Sequence, residues 1–219
     1  MKDLSIKTLR TMDYFITAAD EIIKEVGMEN TTVRKIAKKA GYNSSTIYNY
    51  FNDLDHLIFF TKITHLEEYT ERLYKEISDD IHPLEQFVKI WRIFSEEAFK
   101  NPHDYYDLFF SKYSFELSES LNLYYKIYPE RLNTKNDRLK AMLNEKDIYK
   151  RNMTLMNDCI ESGCFINKRD AKKINELMIL TFRGLLNKYL ETGSKDYTGY
   201  TEKFMEYLDI LLTLELKKR

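Results

Sequence analysis

Residues 31–51, TTVRKIAKKAGYNSSTIYNYF, restrict the fold more than any other stretch of the chain. Thr31 or Thr32 supplies a side-chain oxygen that can cap a helix. Val33, Ile36, Ala37 and Ala40 then place small apolar groups on one face at helical spacing. Gly41 follows a last turn bearing Lys38 and Lys39, where a residue free to take positive φ ends a helix and reverses the chain. With Asn43 as the next cap, the turn is about three residues long, the length that joins two helices steeply in DNA-binding helix-turn-helix units. The second helix, predicted over 44–50, turns Ile47 and Phe51 inward. Ser44, Ser45, Thr46, Tyr48, Asn49 and Tyr50 are left to offer hydroxyls, an amide and aromatic rings that a purely structural helix does not need. The charged residues of this stretch are Arg34, Lys35, Lys38 and Lys39, without an acid, in a chain of formal net charge -1. A polyanion-facing side is therefore local.

Outside this stretch the chain reads as helix throughout, because 6 Gly and 3 Pro in 219 residues leave few breaks. The predicted class is all-α. Apolar spacing gives a first helix over 8–26, ended by Gly27. Asp53 caps a helix predicted from 54 to about 77. Pro83 and Pro102 suit first helical turns, giving helices over 83–100 and from 102 to about 117. Residues 135–144 are read as a polar loop region, 147–162 as a helix, and 170–190 and 200–216 as the last two helices. The expected division is a head over 1–53 and a helical bundle over 54–219. No window approaches the roughly 20 apolar residues of a membrane span, and the start lacks the apolar core of a secretion signal, so a cytoplasmic location is expected. Cys159 and Cys164 do not form a Cys-x-x-Cys pair, and no two of the four histidines are spaced as helical metal ligands, so no metal or cofactor is expected.

Thr32-Val33-Arg34-x-Ile36-Ala37, Ala40-Gly41, Thr46-Ile47-Tyr48-x-Tyr50-Phe51 and Leu57 resemble the N-terminal domain of the tetracycline-repressor (TetR) family of bacterial transcriptional regulators, over about residues 8–60. The resemblance implies a three-helix DNA-binding head whose recognition helix, 44–50, enters the major groove. Carried over residue by residue, Thr32 and Arg34 lie near the DNA backbone, and Ser44, Ser45, Thr46, Tyr48, Asn49 and Tyr50 face DNA. The chain departs from the pattern at Leu54, flanked by Asp53 and Asp55, where many members carry a phosphate-gripping Lys. Lys2, Lys7 and Arg10 are candidates for a basic arm.

Residues 91–130 hold twelve of the chain's 31 aromatics, about twice an even share. Rings with polar tips suit an apolar cavity that also needs hydrogen bonds, and they equally suit a filled core. The resemblance implies an inducer pocket in this region. The candidate lining is Trp91, Phe94, Tyr105, Phe109, Tyr113 and Tyr125, for an effector that is apolar or aromatic. Glu96, Glu97, Asp107 and Glu116 are read as outward-facing. Residues 170–190 are apolar around most of the helix, more than one buried face requires, and Gly184 at mid-helix is explained by close approach of another helix. Leu177, Leu180, Gly184, Leu185, Leu208 and Leu212 are the predicted dimer contacts, and similar regulators pair their last two helices across a twofold axis as a four-helix bundle.

The sequence is thus read as a homodimeric, ligand-responsive transcriptional regulator. It is expected to repress from a palindromic operator in double-stranded DNA and to be released by a small-molecule inducer. The rival reading is a chromosome-organising DNA-binding protein of the same fold with no inducer. Enzymatic activity is not expected, because the chain lacks a phosphate-cradling Gly loop and a nucleophile elbow.

Overall fold

The computed structural model of the protein describes residues 5–78, 80–111, 114, 117–128, 136–145, 147–163 and 168–216. These contain twelve α-helices and no strand: α1 (Ile6–Val26), α2 (Val33–Ala40), α3 (Ser44–Ile47), α4 (Leu54–Thr64), α5 (Glu67–Glu76), α6 (Pro83–Lys100), α7 (Pro102–Phe110), α8 (Leu117–Ile127), α9 (Asp137–Leu143), α10 (Ile148–Glu161), α11 (Lys168–Thr192) and α12 (Tyr197–Leu216). A 3₁₀ turn, Met28–Asn30, follows α1. The chain forms two compact units, Met1–Leu66 with Glu119–Leu132, and Glu67–Ser118 with Asn133–Arg219. The first unit thus reaches past residue 53, because α4 packs on α1 through buried Leu57 and Phe60. It also takes in most of α8, after which the Tyr128 hydroxyl donates to Asp13 on α1.

In the first unit each helix end has a local cause. Ser5 caps α1 by accepting from the Thr8 amide at 3.2 Å. Thr32 caps α2 by accepting from the Lys35 amide at 3.3 Å, while the Thr31 hydroxyl turns back to donate to the Gly27 carbonyl at 2.8 Å. The choice between the two threonines is thereby settled. Asp53 caps α4 through the His56 amide at 2.7 Å. The core is Phe15, Ile16, Ala19, Ile36, Ala37, Ile47, Phe51, Leu57 and Phe60, all at most 2% exposed. Phe51 meets Phe15 and Phe60 edge-on, with centroids 6.5 and 5.5 Å apart.

The second unit is organised around α6, which adjoins α5, α7, α10, α11 and α12. Trp91, Phe94 and Phe99 on α6, Tyr105 and Phe109 on α7, Phe182 on α11 and Phe204 on α12 form one continuous aromatic core. Each such buried ring contributes about 1.5–3 kcal/mol by leaving water. Arg92 forks onto Glu202 at 2.5 and 3.3 Å, joining α6 to α12. No helix among the described residues is long and apolar enough to cross a membrane.

Several boundaries differ from the sequence expectation. The helix predicted over 54–77 is two, ending at Thr64 and resuming at Glu67. The hydroxyls of Thr61 and Thr64 donate to the carbonyls three residues back, at 2.7 and 2.6 Å, and so compete with the helical ladder. The polar region 135–144 contains α9, because Asn136 accepts from the Leu139 amide at 2.8 Å and Leu139, Met142 and Leu143 are buried. Helix α7 stops at Phe110 rather than near 117. Helix α12 starts at Tyr197, since the Asp196 carboxylate caps the Gly199 amide at 2.8 Å.

Candidate nucleic-acid interface and effector cavity

The reversal between α2 and α3 follows directly from Gly41, which sits in the left-handed region at φ 80°, ψ 25°. The Tyr42 amide reaches back to the Ala37 carbonyl at 2.9 Å and closes a Schellman turn. Helix α3 keeps α-geometry for Ser44–Ile47 only. Over Tyr48–Tyr50 the bonds tighten, with the Asn49 and Tyr50 amides donating three residues back at 3.2 and 3.0 Å. Ile47 and Phe51 are fully buried and fix the rotation of this short element. Tyr48 is consequently 57% exposed, with Ser45 and Asn49 also exposed and Ser44 and Thr46 half-buried. Tyr50 is half-buried with its ring 6.0 Å from Phe15, so it shares its surface between packing and solvent.

The positive charge of the motif is smaller than its composition suggests. Lys39 is held by Glu25 and, at 3.0 Å, by Glu21, and these two hydrogen bonds raise its ammonium above the ordinary lysine range. Lys35 donates to the Asn30 carbonyl at 2.8 Å. Arg34 and Lys38 are exposed and have no ion-pair partner among the described residues. Thr32 is exposed even though its hydroxyl oxygen serves as the α2 cap.

Trp91, Phe94 and Phe109 come together in the second unit around a cavity of about 30 Å³, completed by Tyr69, Ile90, Met142, Ile148, Arg151, Asn152 and Leu155. Tyr105 stands outside that lining and packs on Phe94 and Phe109, and burial raises its phenol well above the usual range. Tyr125 belongs to the first unit, beside Tyr124, and takes no part in the cavity. Tyr113, Glu116, Lys2 and Cys164 lie outside the described residues. Glu97, expected to face outward, is 1% exposed, because Arg72 and Lys100 reach its Oε1 at 2.7 and 3.0 Å. The polar members of the cavity were missed by reading aromatics alone. Arg151 donates to the Leu143 and Glu145 carbonyls at 2.7 and 3.3 Å, with its guanidinium 5.5 Å over Phe109. Asn152 accepts from the Trp91 indole at 2.7 Å and donates to Asn175 at 2.8 Å. The available signal was an Arg-Asn pair set in the apolar stripe Ile148, Leu155, Met156, Cys159, all buried.

Residues 15–59 match the family model described as bacterial regulatory proteins, tetR family. Over those residues the chain is similar to the tetR family. A relative from Aromatoleum sp. (strain CIB), the HTH-type transcriptional regulator HbdR, is 34% identical over 71 residues, 32% of this chain. That match spans about a third of the regulator's own length, 31%. Among solved structures, a TetR transcription regulator from Haloarcula marismortui ATCC 43049 matches 94% of this chain and 98% of its own, at TM-score 0.57 and 16% identity. Thermus thermophilus FadR, a TetR-family repressor in complex with lauroyl-CoA, matches 90% of this chain and 92% of its own, at TM-score 0.56 and 17% identity. At these identities the two structures establish a shared all-helical fold.

The predicted dimer contacts fall into two groups. Leu177 and Leu180 are 50% and 49% exposed on α11, and Gly184 is exposed one turn further, where an added Cβ would meet no atom within 4 Å. Among the described residues no close approach therefore explains Gly184. Leu185, Leu208 and Leu212 are at most 6% exposed. Their side chains are buried inside the second unit. Ile210 on α12, 56% exposed, was not anticipated.

Proposed function

We propose that the protein is a ligand-responsive DNA-binding transcriptional regulator, a repressor that acts as a homodimer on a palindromic operator and is released by a small-molecule inducer. The observation that carries this reading is Tyr48, held outward with Ser45 and Asn49 by the buried pair Ile47 and Phe51 behind a Gly41 turn. A short element with hydrogen-bonding groups outside and an anchored apolar side within suits entry into a major groove. Thr32, Arg34, Ser44, Thr46 and Tyr50 complete the proposed contact set. The exposed row Leu177, Leu180 and Gly184 supports pairing of α11 with its copy. Pairing two heads by a twofold axis is what a palindrome requires.

The effector is read as entering the cavity bounded by Trp91, Phe94 and Phe109. At about 30 Å³ that space holds a water or two, whereas small-molecule sites run to roughly 300–1,000 Å³. Binding therefore requires side chains to move, and only a difference in affinity between the open and closed arrangements can shift the heads. The small cavity also favours the second reading, a chromosome-organising protein without an inducer. Selection of bound fragments from random duplex DNA, repeated with and without small-molecule cell extract, separates the two. The regulator reading predicts a palindromic consensus whose binding weakens with extract. A consensus unaffected by any extract supports the second reading, and no enrichment at all refutes both.

A further inference from the structure

The exposed rings of the first unit continue beyond α3. Tyr14 on α1 is 53% exposed and Tyr42, in the turn before α3, is 37% exposed, with ring centroids 6.5 Å apart and planes tilted by 36°. Tyr42 has a packing reason to be there, since its ring lies 5.1 Å from buried Phe15. Tyr14 has one ring contact among the described residues, Tyr42. On the same stripe of α1 stand Lys7 and Arg10, both exposed and without an ion-pair partner among the described residues. Positions 7, 10 and 14 fall within roughly 60° around the helix and about 10 Å along it. Glu21 lies two turns further on the stripe, and its carboxylate is held by Lys39 at 3.0 Å.

Cations without acids, followed by phenols held at the surface on a packed ring, match the chemistry of a nucleic-acid backbone. We propose that Lys7, Arg10, Tyr14 and Tyr42 form a second DNA-contacting track that grips phosphate and sugar beside the bases read by Tyr48. This rests on the DNA-binding reading of the first unit. Phosphate contacts position a protein without reading sequence. The track therefore strengthens binding to any duplex, whereas the recognition element acts only on the selected one.

The test uses the full chain, binding by fluorescence anisotropy to the duplex recovered by selection and to a mixed-sequence duplex of equal length, across a potassium chloride series. Lys7→Ala with Arg10→Ala is expected to weaken both duplexes by the same factor, roughly tenfold, and to lower the slope of log affinity against log salt by about two per chain. Tyr14→Phe with Tyr42→Phe, which keeps the rings and the packing on Phe15, is expected to weaken both by roughly threefold to tenfold at unchanged slope, because a neutral donor releases no counterion. Parental affinity and slope in both double variants overturns the track, and so does a loss confined to the selected duplex. A parent chain that binds neither duplex overturns the DNA-binding reading itself.

Discussion

The two units differ in how they cluster their aromatic side chains. In the first unit Phe15, Phe51 and Phe60 are buried while Tyr14, Tyr42 and Tyr48 stand between 37% and 57% exposed. In the second unit Trp91, Phe94, Phe99, Tyr105, Phe109, Phe182 and Phe204 are all at most 6% exposed and touch one another. The exposed rings of the first unit flank the element that carries Tyr48, whereas the clustered rings of the second unit are closed to water. A ring of that cluster marks core, although Tyr149 and Tyr197 of the same unit are 38% and 41% exposed, and aromatic density there does not by itself mark a ligand site. Within that core the distinguishing groups are the buried polar ones, Asn152, Asn175 and Arg151.

Four substitutions press on this contrast. Phe182→Ala removes a fully buried ring that meets Trp91, Phe94, Phe99 and Phe204 at 5.1–5.7 Å. It is expected to cost about 3–5 kcal/mol in urea unfolding, and a cost below about 1 kcal/mol would mean the core is not continuous. Asn152→Leu leaves the Trp91 indole N–H and the Asn175 side-chain amide oxygen without their partner, for an expected loss of about 1–3 kcal/mol. An unchanged unfolding midpoint would show the buried polar chain to be dispensable. Gly184→Ala relieves a helix interior of its least favourable residue short of proline, in open space. At dilutions where the chain is monomeric it should gain about 0.4–1 kcal/mol, while the dimer weakens if a second α11 approaches there. Leu180→Glu alters an exposed side chain, so thermal unfolding of the monomer should move by less than about 0.5 kcal/mol while sedimentation shifts from dimer to monomer. A variant that still sediments as a dimer refutes the α11 face.

The uneven legibility of the sequence has the same physical origin. Residues 31–51 carry their own caps, turn glycine and apolar face, so Thr32, Gly41, Ile47 and Tyr48 are placed by contacts within a few residues of themselves. The shortening of α3 at Ile47 was not visible, because α and 3₁₀ turns share the same residue preferences. The cavity instead draws Tyr69, Trp91, Phe109, Met142 and Arg151 from five different helices, and no local pattern says which helices adjoin. Helical periodicity likewise assigned apolar residues to 170–190 without saying which side each faced. Leu185 and Leu180 look alike in sequence, and only the packing of α12 and α6 separates the buried one from the exposed one.

Binding of the Tyr48→Ala chain to the selected duplex, measured beside its unfolding midpoint and its sedimentation, tests the DNA-reading surface most directly. Affinity for that duplex should fall by roughly a hundredfold or more while the midpoint and the dimer stay as in the parent, because Tyr48 is 57% exposed and its neighbours Ile47 and Phe51 hold the fold. Parental affinity in a folded, dimeric Tyr48→Ala chain would contradict the account.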